Sequence, residues 1–270
     1  MHYIHSIYLT GNKNEVLMLP QRIQSNIDSF KAVHPNCDHL LFTDENLRAF
    51  IAANFKPDVL KAYDELVPLA YKADLGRYCL LHYYGGIYSD VSVQFFNGLD
   101  NNLIDNRKLF IFRDSFSHAP WIVSTSLLYA QKNLPIFEYV IQSIVEHTKS
   151  GYYGYNPLCP TGPNLFGKAL AQMMNLSEFM TGETIKVNKN PLTHSFAYLL
   201  PNGEVCAVNV KNGSGLASLG TKHNDNYNQH YENKTIYMND LKQLQALEKN
   251  IYYQLKKQSK KIINKLIKLL

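Results

Sequence analysis

The most informative segment of the chain is residues 70–93, AYKADLGRYCLLHYYGGIYSDVSV. Its first part has the composition and apolar spacing of a helix, predicted over 69–84, which Gly85-Gly86 ends. A short strand at 87–89 follows and leaves Asp90 at its carboxyl end. Because ligands bind at the carboxyl ends of strands in open α/β sheets, Asp90 is predicted to lie at a binding site.

Two further charged residues of this segment point to the same site. Asp74 and Arg77 are three positions apart and therefore share one face of the predicted helix. Such a pair can also be an ordinary surface ion pair, which contributes only tenths of a kcal/mol. We favour a binding function, because Asp74, Arg77 and Asp90 come together in one compact segment.

The elements around this segment predict an α/β fold with a mixed, mostly parallel central sheet flanked by helices. Strands and helices alternate in the first half of the chain, which favours parallel pairing. Strands are predicted at 3–9, 39–42, 109–112, 184–188 and 205–210, helices at 15–33, 45–54, 57–65, 134–148 and 165–174, and a loop over 211–234. We expect one domain over 1–238 and a helical, basic, amphipathic tail over 239–270.

The pattern A-x-x-A-D-x-x-R-Y-x-x-L-x-x-x-G-G-I-Y-x-D over residues 70–90 resembles the signature of the DXD glycosyltransferases. These GT-A enzymes include initiating α-1,6-mannosyltransferases, large glucosylating toxins, and bacterial capsule and lipopolysaccharide sugar transferases. The resemblance is tight over 68–93 and looser elsewhere, including Asp44 and Thr161-Gly162-Pro163. It implies a GT-A-like, nucleotide-sugar-binding fold.

The resemblance also implies roles for single residues. Tyr8 would stack on the donor base, Asp74 would bind sugar or ribose hydroxyls, and Arg77 the transferred sugar or a phosphate. Tyr88 would flank the diphosphate, with Gly86 beside it in the donor site. Asp90 would hold Mn²⁺ or Mg²⁺, which neutralises the departing diphosphate.

The chain departs from the family pattern at the second acid of the motif, where Asp90-Val91-Ser92 replaces Asp-x-Asp. A serine hydroxyl is a weaker metal ligand than a carboxylate, so the substitution puts metal dependence in question. The predicted metal ligands are Asp90, Ser92 and, from the 221–231 loop, His223. A catalytically weakened homologue that binds nucleotide-sugars is therefore one alternative.

Composition narrows the class of protein. The net charge is +5, but residues 251–270 hold six lysines and no acid, and removing these lysines leaves −1 for the rest. A basic stripe for nucleic acid is therefore not expected. The four cysteines are scattered, which indicates buried thiols in a reducing compartment rather than a zinc site. No signal peptide or membrane-spanning segment is expected, so we predict a cytoplasmic protein.

Apolar residues recur at helical spacing through 251–270, with lysines between them, which is typical of helices that lie on anionic membranes. A helix packed on the domain with solvated lysines is the alternative. We predict peripheral attachment at the inner face of the membrane. A membrane-surface adaptor remains a further alternative, although it has no use for Asp74, Arg77 and Asp90 together.

Together these features predict a retaining glycosyltransferase (a hexosyltransferase). It would move a hexose from a nucleotide-sugar to a glycan or lipid-linked glycan acceptor. A UDP-sugar is favoured over a GDP-sugar as the donor. The expected process is synthesis of cell-surface polysaccharide, capsule or lipopolysaccharide.

Overall fold

The computed structural model describes residues 3–12, 18–99, 107–114, 121–173, 175, 177–187, 196–211, 215–221 and 225–267, with side chains to residue 256 except 254. The helices are α1 (Gln21–Val33), α2 (Asp44–Asn54), α3 (Pro57–Glu65), α4 (Leu69–Tyr84), α5 (Pro135–Ser150), α6 (Pro163–Met173), α7 (Tyr227–Glu232) and α8 (Met238–Ile267). The strands are β1 (Tyr3–Ile7), β2 (Asp38–Phe42), β3 (Gly86–Ser89), β4 (Val93–Phe95), β5 (Leu109–Asp114), β6 (Val123–Ala130), β7 (Phe179–Lys186), β8 (Phe196–Leu199) and β9 (Val205–Asn209).

The strands form one mixed sheet in the order β2-β1-β3-β6-β5-β7-β8-β9-β4. The predicted mixed α/β architecture is confirmed, but the sheet is less parallel than expected. Parallel pairing joins β1 to β2, β1 to β3 and β5 to β7, and the other five described pairs are antiparallel. The alternation of strand and helix breaks down after β3, where hairpin-like pairing takes over.

The sheet must curl, and the reason lies in the connection between β3 and β4. Only Asp90, Val91 and Ser92 separate these strands, so their ends are within about 14 Å along the chain. In the strand order they are six steps apart, which would be about 29 Å in a flat sheet. The sheet therefore bends back on itself, and Asp90 lies in the turn where it closes.

Each face of the sheet has its own hydrophobic core. On one face α2, α3, α4, α5 and α6 pack together, with Leu75, Tyr78, Phe137 and Phe166 fully buried. On the other, α1 packs against β4, with Ile23, Ile27 and Phe30 buried. Helix α4 is apolar nearly all round, which is typical of a buried helix and explains why its charged residues lie inside the protein.

One structural finding bears on the predicted absence of a membrane-spanning segment. Within the described part of the chain, no helix combines the length and apolarity needed to cross a bilayer. Helix α8 begins at Met238, one residue before the predicted start of the tail.

His5 gives the fold a pH dependence. It is fully buried in β1, and its Nε2 lies 2.8 Å from the Gly85 carbonyl oxygen. Burial lowers its pKa from 6.5 to about 4, so the folded protein keeps it neutral. Below pH 6.5 the unfolded chain takes up a proton that the folded chain does not, and stability is lost as the pH falls towards 4, by up to roughly 3 kcal/mol.

A His5→Gln variant is expected to show less of this loss, because glutamine does not titrate. Urea unfolding of both proteins at pH 7.5 and pH 4.5 checks it. Identical losses in the two proteins would show that His5 does not contribute.

Candidate active site

Arg77 lies at the centre of a buried charge cluster. Its guanidinium nitrogens lie 3.1 Å from Asp74 Oδ1 and 3.5 Å from Asp90 Oδ1, and one donates to the Thr125 carbonyl oxygen. Its side chain is only 7% exposed. One buried cation thus lies between two carboxylates, an arrangement that suits the planar, multi-donor guanidinium better than the ammonium of a lysine.

Tyr88 fixes the position of Asp90 within this cluster. The Tyr88 hydroxyl donates to Asp90 Oδ1 at 2.8 Å, and the Arg77 guanidinium lies 4.7 Å from the centre of the Tyr88 ring. Burial raises the pKa of Tyr88 well above its usual value, so the hydroxyl remains a donor. The remaining face of the Asp90 carboxylate is partly exposed, at 19% of the side chain.

Asp74 connects the cluster to the predicted turn at 161–163. The Thr161 hydroxyl donates to Asp74 Oδ2 at 2.7 Å, and a Cβ at Gly162 would lie 3.3 Å from the same oxygen. Burial raises the pKa of Asp74, while Arg77 and the Thr161 hydrogen bond oppose that shift. The turn before α6 is therefore part of the site.

A cleft with two lobes opens over the cluster. The lobe beside β1 has a volume of about 190 Å³, and the lobe beside β6 and β8 about 260 Å³. Arg77, Asp90, Lys211 and Tyr227 line both lobes, so the two lobes adjoin each other. The charged cluster forms the boundary between them, which places it where two ligands in the lobes would meet.

The segment predicted as a loop over 211–234 is partly helical, with a 3₁₀ helix at Leu216–Leu219 and helix α7. The Asn226 side chain accepts from the Asn228 and Gln229 amides and so begins α7. Asn226 is an ordinary N-cap residue, and it is visible in the sequence. The many Gly, Asn and His residues nearby favour a loop and obscured this signal for a helix.

Lys211 and Asp225 are site residues that the sequence did not predict. Lys211 follows β9 and reaches both lobes. The Asp225 carboxylate accepts from the Leu69 amide at the first turn of α4 and lies 3.2 Å from His230 Nε2. Its contact with Leu69 ties this segment to α4, which is distant in the sequence.

The other predicted site residues lie in different places. Tyr8 is buried at the end of β1 and lines the smaller lobe. Gly86 lies at the opposite end of β3 from Asp90 and lines neither lobe, so the structure does not bring it to the site. Its lack of a side chain has a backbone reason, since a Cβ would overlap the Tyr3 carbonyl oxygen. His223 lies outside the described residues.

Ser92 is fully buried and does not appear among the described residues of either lobe. Its hydroxyl has no hydrogen-bond partner among the residues that the structure describes. We expect Ser92→Ala to keep or slightly raise stability, by about 1 kcal/mol, because it removes an unpaired buried hydroxyl. Ser92→Asp should unfold more easily, since it buries a carboxylate.

Thermal unfolding of both variants, with Mn²⁺ titration, checks this pair of predictions. Loss of Mn²⁺ binding in a folded Ser92→Ala protein would instead support Ser92 as a metal ligand.

A divalent cation fits the charge of the cleft. Two cations, Arg77 and Lys211, are among the described residues that line it. The same lining includes four carboxylates: Asp74, Asp90, Asp114 and Asp225. No group of three or more metal-ligating side chains is found in the described part of the chain. Mg²⁺ is commonly bound by one or two carboxylates with water and substrate phosphates, so Asp90 suits such a partial site.

Comparison with known proteins places the chain in a family. Residues 4–153 match the family described as capsular polysaccharide synthesis protein. Inositol phosphoceramide mannosyltransferase 2 of Schizosaccharomyces pombe is 33% identical over 149 residues, 52% of this chain and 38% of that protein. Mannosyl phosphorylinositol ceramide synthase CSH1 of Saccharomyces cerevisiae is 28% identical over 163 residues, which are 59% of this chain and 39% of that protein. The chain thus spans less than two fifths of either relative.

Two solved structures show partial overlap. PaToxG Glycosyltransferase has a TM-score of 0.48 at 18% identity, covering 64% of this chain and 69% of that one. The galactosyltransferase LgtC, in complex with donor and acceptor sugar analogs, has a TM-score of 0.30 at 16% identity, covering 48% and 57%.

The family match extends from β1 through α5 and includes Asp74, Arg77 and Asp90. Because it covers more than half of the chain, the chain belongs to the family of capsular polysaccharide synthesis proteins.

Proposed function

We propose that this protein is a retaining glycosyltransferase of GT-A type that moves a hexose from a nucleotide-diphosphate sugar to a glycan or lipid-linked glycan. The observation that carries the proposal is the buried Asp74–Arg77–Asp90 cluster at the boundary of a two-lobed cleft. Two lobes that meet at fixed charges suit a donor and an acceptor whose reacting atoms meet there. The mannosyltransferase name of the Schizosaccharomyces pombe relative agrees with hexose transfer.

The smaller lobe suits the nucleotide. Tyr8 and Leu216 give it apolar walls, and Arg77 and Asp90 also line it. A base against Tyr8 would leave the diphosphate beside Arg77 and Lys211. A cation held by Asp90 would supply further neutralisation of the diphosphate charge, and Ser92 and His223 stay predictions as its other ligands.

The transferred sugar would then lie over Asp74, in the larger lobe. The carboxylate can accept hydrogen bonds from sugar hydroxyls, and Thr161 and Arg77 hold it in place. In transfer, the bond from the anomeric carbon to the diphosphate oxygen breaks, and its electron pair stays on that oxygen. The acceptor hydroxyl forms the new bond on the same face and gives its proton to the departing oxygen.

A donor screen tests the proposal. Thermal shift is measured with UDP- and GDP-sugars, including a GDP-mannose arm because of the relatives' names, with and without Mn²⁺. Stabilisation by one donor together with nucleotide release supports a transferase and identifies its sugar. Stabilisation without release favours the weakened homologue that binds but does not transfer. No response to any donor contradicts both.

We further propose that α8 lies on an anionic membrane surface, at the inner face of the membrane. Its first turn is held to the domain, since the Tyr153 hydroxyl donates to Asp240 at 2.6 Å. Beyond it, an exposed apolar stripe runs along one face at helical spacing, formed by Leu244, Leu247, Ile251 and Leu255, which are 36–60% exposed. The inositol phosphoceramide named in a relative agrees with a lipid-linked acceptor.

Co-sedimentation with liposomes tests this surface. Ile251→Glu should weaken binding to anionic vesicles, and Tyr253→Glu, which adds the same charge on the opposite face of α8, should weaken it much less. Equal effects would show that charge alone, and not the apolar stripe, decides binding. Vesicle binding unaffected by either change, or by deletion of 251–270, would exclude α8 as the contact.

A further inference from the structure

A second groove lies beside the cleft, on the other side of the segment 155–164. Its volume is about 430 Å³, and the described residues that line it include Trp121, Tyr152, Tyr155 and Asn164. None of these four residues lines either lobe of the cleft. The donor site as proposed makes no use of this groove.

The groove presents aromatic rings to solvent. Trp121 is the one tryptophan of the sequence and is 50% exposed, and Tyr155 is 77% exposed. Burying a large aromatic side chain contributes about 1.5–3 kcal/mol, which these rings forgo in the free protein. Apolar surface gathered in a concave site is typical of a ligand-binding surface.

The backbone at Trp121 and the rings of Tyr152 and Tyr155 are held in place. The backbone at Trp121 lies directly against α6, where a Cβ on Gly167 would overlap the Trp121 carbonyl oxygen. The Tyr155 hydroxyl accepts from Asn164 Nδ2 at 2.9 Å. The Tyr152 ring stacks on His147 with 4.2 Å between ring centres. A ligand therefore meets a surface whose ordering cost is already met by the fold.

Asn164 supplies the polar feature of the groove. It is 7% exposed, and its Nδ2 donates to Tyr155 and to Asn156 Oδ1. Its Oδ1 is buried and has no hydrogen-bond partner among the described residues. An unpaired buried acceptor costs about 1–3 kcal/mol. A small rotation of the Asn164 amide that brought this oxygen to the groove would let a ligand hydroxyl donate to it and recover that cost.

Aromatic faces beside a buried acceptor suit a sugar ring. The C–H face of a pyranose is apolar and packs on an aromatic ring, while the hydroxyls at its edge donate hydrogen bonds. A ligand without hydrogen-bond donors would leave the Asn164 oxygen unpaired, and a nucleotide diphosphate would need cations, of which the described lining offers Lys168 alone apart from His147. The chemistry therefore favours a neutral glycan.

The groove is connected to the cleft through one short segment. Thr161 donates to Asp74 in the cleft, and Asn164, three residues later, lines the groove. We propose that the groove binds a sugar unit of the acceptor glycan at a distance from the reacting hydroxyl. That the bound glycan is an acceptor rests on the proposed transferase function. Glycan binding in the groove does not depend on that function.

Trp121 allows a test specific to this groove, because it is the sole tryptophan. Its emission is titrated with mannopentaose and maltopentaose up to about 10 mM, a range that detects weak binding. We expect a saturable blue shift with at least one of them. Tyr155→Ala should weaken that binding tenfold or more, whereas Tyr253→Ala, which removes an exposed tyrosine on α8, should leave it unchanged.

Three results would overturn the inference. They are no change in emission with either oligosaccharide, a change that Tyr155→Ala leaves unaltered, and a blue shift that follows protein concentration alone, which would assign the groove to a second copy of the chain. Donor-dependent nucleotide release is measured separately on the same protein. Failure of that release with an intact Trp121 response would reject the transferase and keep the glycan groove.

Discussion

Replacing Arg77 with methionine is expected to lower the free energy of unfolding by about 3–5 kcal/mol, because it leaves buried carboxylates without their cation. Asp74 is 8% exposed, and Arg77 lies 3.1 Å from it and 3.5 Å from Asp90. Methionine keeps the length of the side chain but provides no charge and no donors. Chemical denaturation, compared with the wild type at pH 7, measures the loss.

A surface pair provides the matched control. Arg48 lies 2.7 Å from Asp64, but the two side chains are 38% and 44% exposed, so Arg48→Met should cost less than about 1 kcal/mol. Adding Asp74→Asn to Arg77→Met should restore part of the lost stability, since it removes one of the unpaired charges. Similar losses in Arg77→Met and Arg48→Met would show that the buried cluster does not stabilise the fold in this way.

Gly86→Ala is expected to be strongly destabilising, with a loss above about 3 kcal/mol or no soluble protein. Gly86 has a φ of +92°, and a Cβ there would overlap the carbonyl oxygen of Tyr3. Tyr3 begins β1, which is paired on both sides, by β2 and β3. The backbone that would have to move is therefore held by two ladders.

Gly203→Ala separates this overlap from backbone strain. Gly203 has a similar φ of +85°, but nothing lies within 4 Å of its Cβ position. Only the left-handed conformation is disfavoured there, at about 1–2 kcal/mol. Thermal unfolding of the two variants tests the difference, and equal losses would mean that the close approach to Tyr3 does not matter.

The local part of this fold was readable from the sequence. Helix α4 occupies Leu69–Tyr84 as predicted, because its apolar run and the following glycines are signals within the segment itself. The strand before Asp90 follows for the same reason. Asp74, Arg77 and Asp90 are brought together as expected, since a helix, a turn and a strand fix their relative positions over 17 residues.

The non-local part was not readable in the same way. Strands β4, β6 and β8 were not predicted, and β4 is only three residues long. Strand β6 alternates buried Val123 and Thr125 with half-buried Ser124 and Ser126, a period-two signal weakened by its serines. Strand order depends on partners far along the chain. For this reason the sequence overestimates the share of parallel strand pairs in the sheet.

The same distinction applies to the site. Lys211 and Asp225 reach the cleft because β9 pairs with β4, which follows Asp90, and because α7 packs against α4, more than 100 residues away in sequence. Gly86 belongs to the same motif as Asp90 but serves the backbone at the other end of β3. A sequence motif thus identified the segment, whereas the fold decided which of its residues face the ligand.

The most direct test of the central claim is nucleotide release from the donor that stabilises the protein, measured for the wild type, Asp90→Asn and Asp64→Asn. Asp64 is an exposed carboxylate outside the cleft and controls for the loss of one charge. Asp90→Asn should lose at least 100-fold in release, the order expected for removal of one electrostatic group from a transfer site. Release in Asp64→Asn should equal that of the wild type. Release by folded Asp90→Asn at the wild-type rate would contradict the placement of transfer at this cluster.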